Sequence, residues 1–132
     1  MKQKNVAAFV LALIGSIFGF IGGILWAACA GTVAEVIGDG GAIGYTIGFV
    51  VLGVGGAIIG LVGGIQALGF KKGRLVLTAA GLVAEIGHII LSCVAVEGFS
   101  FLLNITSIVS VILLLVAVIL VAVRKDGQAD AE

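Results

Sequence analysis

The sequence predicts an all-α integral membrane protein, a single four-helix bundle over residues 1–132. Three observations predict it. The chain is 61% hydrophobic and 11% charged, where a soluble domain carries about 25% charged residues. Its charges cluster between long apolar runs. Glycine, at 22 residues against no proline, recurs at a spacing of four within two of those runs. Crossing the hydrocarbon takes roughly 20 apolar residues, so the length admits one domain of four or five passes.

The first helix is expected at about residues 6–31, after a short basic start with Lys2 and Lys4. The run holds no charge. A cleaved leader has an apolar core of about 7–15 residues, and this run is far longer. Its Ala27-Ala28-Cys29 end is similar to a lipoprotein cleavage site, but Trp26 stands where a small aliphatic residue belongs. We therefore read a permanent span. Gly15, Gly19 and Gly23 form a ladder that continues through Ala27 and Gly31.

Residues 32–41 form the first connection, with Glu35, Asp39 and a glycine-rich turn signal. The second helix is expected at about residues 42–70, with Gln66 its one strongly polar side chain. Gly44, Gly48, Gly56, Gly60 and Gly64 form its ladder, with Leu52 in the one missing slot. Soluble helices avoid glycine, which costs about 1 kcal/mol relative to alanine. In lipid, a bare face lets another helix approach closely. The two ladders are therefore expected to pack helices one and two against each other.

Lys71-Lys72-Gly73-Arg74 is a tight basic turn. The third helix follows at about 75–96 and carries Glu85 and His88. Glu97-Gly98 turns the chain into the fourth helix, about 99–123, whose first half holds Ser100, Asn104, Thr106, Ser107 and Ser110. Residues 124–132 begin with Arg124-Lys125 and make a polar tail.

Four passes put both termini and the 71–74 turn on one side. That side holds every Lys and Arg, while the other holds Glu35, Asp39 and Glu97. The positive-inside rule places both termini in the cytoplasm. Trp26, Tyr45, Phe99 and Phe101 then fall near the outer interface as an aromatic belt.

Glu85 lies eleven residues past Arg74, so at mid-depth, roughly 16 Å from the inner surface. His88, one turn further out, shares its helix face. Glu85, His88 and Ser92 are at about the depth of Asn104 and Ser107, so these five form a candidate intramembrane polar layer. An acid at that depth is costly and usually faces a partner or water. The layer reads either as a structural cluster pinning helices three and four, as a proton or ion site, or as a contact to another subunit. Cys29 and Cys93 lie near the outer ends of parallel helices; they could be bridged in an oxidising exterior, or pack as small apolar thiols, the reading we prefer.

Several classes are excluded. There is no basic patch for nucleic acid, no metal-ligand cluster, no phosphate loop and no nucleophile arrangement. The sequence implies no enzyme, no metal and no cofactor. The partners expected are the bilayer itself and either further copies of the chain or another membrane protein. The first functional expectation is a non-enzymatic packing or accessory subunit acting as a homo-oligomer or within a membrane complex. The alternative is a channel or transporter subunit for protons, ions or small solutes, working at Glu85 and His88.

The stretch Phe9-Val-Leu-Ala-Leu-Ile-Gly-Ser-Ile-Phe-Gly-Phe-Ile-Gly-Gly23 resembles the start of a family of small bacterial four-pass membrane proteins, a domain of unknown function. The basic start, the Lys-Lys turn and the basic stop after helix four resemble it too. The resemblance implies a bacterial plasma-membrane protein and brings no activity or site residue. Small four-helix drug exporters are similar in size, but their essential glutamate lies in helix one, where this chain has no acid. Small fluoride channels match in length, but their polar track is not found here.

Overall fold

The computed structural model describes residues 5–37, 40–69, 71–95 and 104–123. They are helical apart from short turns. Helix α1 covers Val6–Ile37, α2 Gly40–Phe49, α3 Gly55–Leu68, α4 Arg74–Ala95 and α5 Ile105–Val123. A π-helical turn, Val50–Val54, joins α2 to α3 without a break. Among the described residues, four spans are long and apolar enough to cross a membrane: Val6–Ala30, Ile43–Leu68, Arg74–Val94 and Ile105–Val123.

Each span packs on its sequence neighbours, and α5 closes the ring against α1. The spans alternate in direction. Gly64 lies against Ala12, and Gly23 lies against Gly53; as one chain ascends, the other descends. The interior is built from small and polar residues. Ala8, Ala12, Ala57, Ala67, Ala117 and Leu114 are buried, while Ile47, Val51, Val76, Val83 and Ile119 are exposed. Large apolar side chains on the outside and small ones inside suit lipid, where helices associate through close backbone approach.

Asn5 caps α1. Its Oδ1 accepts the Ala8 amide at 3.4 Å, and its Nδ2 donates to the Leu120 carbonyl at 3.3 Å. One side chain thus satisfies a free helix-end donor and fastens the start of α1 to the end of α5. The basic turn closes through Gly73, whose φ of +87° favours a residue without Cβ.

Three sequence expectations change. Helix α1 runs on to Ile37, through what reads as the start of the first connection. The second span holds a π turn that its composition does not announce. The residues 96–103, with the expected Glu97-Gly98 turn, Phe99 and Phe101, fall outside the described residues, as does Phe70.

The third change concerns the ladders. They do not run face to face along their lengths, and the reason is helical geometry. An α-helix repeats every 3.6 residues, so each step of four turns about 40° further round the axis. The first ladder therefore sweeps from one neighbour to the next. A Cβ on Gly15 would meet Leu113 and Leu114 of α5; one on Gly19 would meet Glu85 and Ser110 in the centre; one on Gly23 would meet the backbone of Gly53 and Val54. The second ladder does the same in reverse. Gly64 faces Ala12 of α1, Gly60 faces Leu114 and Ser16, Gly56 faces Ala84 of α4, and Gly48 faces Leu91. Gly44, at the end of the sweep, is exposed with nothing near it.

Candidate functional site

The site is a buried polar column in the half of the bundle that holds the end of α4 and the start of α5. On α4, Glu85, His88 and Ser92 are spaced three and four apart and therefore face one way. All three are wholly buried, as are Asn104, Ser107 and Ser110 on or beside α5. The stripe on α5 continues inward as Leu114, Ala117 and Val121.

The outer members pair. The Ser107 hydroxyl and His88 Nδ1 share a hydrogen bond of 3.1 Å. The Ser92 hydroxyl lies 2.7 Å from Asn104 Oδ1 and 2.7 Å from the Ile89 carbonyl, so one proton serves both acceptors. These bonds join α4 to the start of α5 at the depth that residue counting assigns.

Glu85 stands apart from them. Its carboxyl turns toward the centre of the bundle, between Gly19 of α1 and Gly56 of α3. A Cβ on Gly19 would come within 2.6 Å of Glu85 Oε1 and 2.8 Å of Ser110 Oγ, and one on Gly56 within 3.2 Å of the same carboxyl oxygen. Two glycines thus clear the space the carboxyl occupies. Neither of its oxygens has a hydrogen-bond partner among the described residues, nor do Ser110 Oγ, Ser16 Oγ or His88 Nε2. Buried polar groups are paired in the large majority of cases. Five unpaired atoms on four residues near the middle of the bundle, two of them carboxyl oxygens, mark an unusual place.

His88 is walled by rings. Phe49 meets it edge-on at 5.3 Å and Trp26 at 6.5 Å, and Tyr45 stacks on Phe49 at 6.4 Å. A Cβ on Gly53, in the π turn, would stand 3.0 Å from His88 Cδ2. Single π turns recur at functional sites, and this one brings a bare backbone against the imidazole.

Cys29 and Cys93 are free thiols; Cys29 is exposed on α1 and Cys93 is half-buried. The structure therefore shows neither a bridge nor, for Cys29, a packed interior thiol. Among the described residues no group of His, Cys, Asp and Glu could hold a metal ion.

Comparison with family models, with curated proteins and with solved structures finds no match. The family resemblance therefore rests on the sequence features given above, and function is argued from the site's geometry.

Sequence reasoning missed four neighbours of the site. Ser110 and Ser16 bring orphaned hydroxyls, and Trp26 and Phe49 enclose the imidazole. A signal for Ser110 exists: Ser107, Ser110, Leu114, Ala117 and Val121 follow the 3.6-residue period of one buried face. Trp26 reads as a belt residue by its depth and is instead half-buried against Phe49, at 5.2 Å between ring centres.

Proposed function

We propose that the protein is a small non-enzymatic channel or transporter subunit that takes up a proton or a small cation at Glu85. One observation carries this reading: a wholly buried carboxyl at mid-bundle, both oxygens unpaired, with Gly19 and Gly56 bare around it. A charge at that depth is costly, and such residues mark ion or proton sites. If the cluster were only a structural peg, Glu85 would be tied to Asn104 or Ser107. Those two are instead bonded to Ser92 and His88. Because a proton competes for the carboxyl itself, the flux depends on pH.

The chain would sit in a bacterial plasma membrane with both termini cytoplasmic, since four passes would gather every Lys and Arg of the sequence on one side. The test is proton flux into liposomes that carry the purified protein. We expect flux above empty liposomes, varying with pH, and abolished in Glu85→Gln. Flux equal to empty liposomes, or indifferent to Glu85→Gln, overturns the proposal.

A second reading is a packing subunit that forms homo-oligomers. Most of the ladder glycines are buried within the chain's own bundle. This reading rests on Gly44 and Gly55, eleven residues apart on the second span, where an added Cβ meets nothing within 4 Å among the described residues. Its test is mass in a mild detergent: Gly44→Leu with Gly55→Leu should release monomers. A wild-type monomer would exclude it.

A further inference from the structure

The two sides of Glu85 are built differently. Toward the end that carries Glu35, Asp39 and Glu97 in the sequence, the interior is polar. His88 and Ser107 come first, bonded to each other, then Ser92 and Asn104, bonded to each other. Toward the basic end it is mainly aliphatic, with Thr78 and Asn5 as buried polar residues beside it. Leu82 lies one turn inward of Glu85, and Leu114 one turn inward of Ser110. With Ala12 and Ala117 they form one buried cluster, backed by Leu11, Val111 and Val118. A second cluster of Ala8, Ala67 and Val121 continues it.

Leu114 is the centre of this seal. Its side chain reaches across the bundle: Cγ lies 3.3 Å from where a Cβ on Gly15 would stand, and Cδ2 3.2 Å from the same point on Gly60. It thereby fills the gap between the glycine stripes of two other spans. The innermost hydroxyl of the central column is Ser16, beside Gly60. Thr78, further in, is wholly buried, but its proton is tied to the Arg74 carbonyl at 2.6 Å. From Leu114 to Val121 the core is roughly 10 Å of packed aliphatic side chains. An ion or proton has no hydrogen-bonding route through such a layer, and moving a bare charge into it is prohibitive.

We infer that Glu85 is reached from the acidic end only, and that Leu82 and Leu114 close it toward the basic end. The inference rests on the reading of Glu85 as an exchange site, and adds where exchange happens and which residues must move to complete transport. The outer column supplies acceptors and hydroxyls at successive turns. The inner cluster supplies none, and opens only if Leu114 leaves the gap between Gly15 and Gly60.

The experiment reads access directly and needs no transport. Cys29 and Cys93 are replaced by serine, and single cysteines are placed at Ser107 and at Ala117, on α5 above and below the site. A charged methanethiosulfonate is applied to right-side-out and to inverted vesicles. Ser107→Cys should react roughly tenfold or more faster from the acidic side than from the basic side, because only a wetted thiol ionises readily. Ala117→Cys should be inert from both sides and become reactive from the acidic side once Leu114→Ala is added. Ala12→Cys repeats the inner test on α1 should the Ala117 variant not fold. Reaction of either inner cysteine from the basic side with Leu114 intact overturns the inference. So does an inert Ser107→Cys, or an inner cysteine still inert after Leu114→Ala. Because labelling is independent of flux, loss of the Glu85 proposal in liposomes and loss of one-sided access are separate results.

Discussion

Glu85 and His88 sit one turn apart on the same face of α4, both wholly buried, yet they have almost no neighbour in common. His88 is held through one ring nitrogen and by its aromatic neighbours, with Nε2 unpaired among the described residues. Ser107 holds one ring nitrogen, Phe49 and Trp26 press on its faces, and Gly53 brings backbone against its edge. Glu85 meets bare glycine and an unpaired hydroxyl, and neither carboxyl oxygen has a partner among the described residues. One turn of helix therefore separates a group that holds the bundle together from a group that the bundle only makes room for. In lipid the second kind is hard to keep without a function, because an unsatisfied buried polar group costs about 1–3 kcal/mol or more. Proteins that carry such a cost do so mostly at working sites.

The sharpest way to break this contrast is at the glycines that wall each turn. On Gly53 a Cβ would stand 2.5 Å from the Cα of Gly23, so backbone meets backbone and neither can give. Gly53→Ala should cost about 3 kcal/mol, the upper part of the range for overpacking, and populate unfolded protein in a detergent unfolding titration. Gly19→Ala meets the tip of a flexible carboxyl and a serine hydroxyl, which can swing aside. Its cost should stay under about 1 kcal/mol, while flux falls because the carboxyl is displaced. Equal destabilisation by the two would show that Glu85 is held as rigidly as His88.

Next in size is removal of the polar groups themselves. Glu85→Met deletes an unpaired acid and keeps its volume. It should raise stability by about 1–2 kcal/mol, the behaviour of buried charges replaced by apolar groups, while flux is lost. His88→Met deletes a bonded ring and its aromatic contacts, and should lower stability by a similar amount. A gain in one and a loss in the other separates a functional group from a structural one. If Glu85→Met also destabilises, the carboxyl has a stabilising partner and the site reading weakens.

How much of this is legible in the sequence depends on the kind of fact. Four spans and the 71–74 turn follow from hydropathy and clustered charge, since lipid forces every backbone group to pair within a helix. Depth is legible too: counting residues from Arg74 puts Glu85 and His88 at mid-bundle, level with Ser107. Direction around the helix is harder to read. A spacing of four looks like one face in the sequence, but its drift carries Gly15 to α5, Gly23 to α3 and Gly44 into open space. The π turn at Val50–Val54 adds a further local shift. The same blindness to direction groups Glu85 with Asn104 and Ser107, when it faces α1 and α3 instead. Phe49 shows the limit most clearly: nothing in an apolar run marks which phenylalanine turns inward to meet a histidine two helices along the chain.

Two serines on adjacent turns of α5 sharpen the contrast further. Ser107→Ala leaves His88 Nδ1 without its partner and should cost about 1 kcal/mol. Ser110→Ala removes a hydroxyl with no described partner, so unfolding should be unchanged or slightly harder. Flux should respond in the opposite order if Ser110, beside Glu85, helps hold the transported ion. A stability loss for Ser110→Ala equal to that for Ser107→Ala would mean that its hydroxyl is paired after all.

The smallest effect belongs to Ser92, at the outer end of the column. Its hydroxyl is close to Asn104 Oδ1 and to the Ile89 carbonyl of its own helix, each at 2.7 Å. Because the single proton is divided between them, its removal orphans neither acceptor fully. The Ile89 carbonyl retains its place in the helix, and Asn104 makes further contacts of its own. Ser92→Ala should therefore cost about 0.6 kcal/mol, the average for interhelical hydrogen bonds in membranes, in the same detergent titration. The ranking of Ser107 above Ser92 tests whether the column is tied at its histidine or at its mouth. A larger loss at Ser92 would move the anchor of helices α4 and α5 to the outer end and leave His88 as free to respond as Glu85.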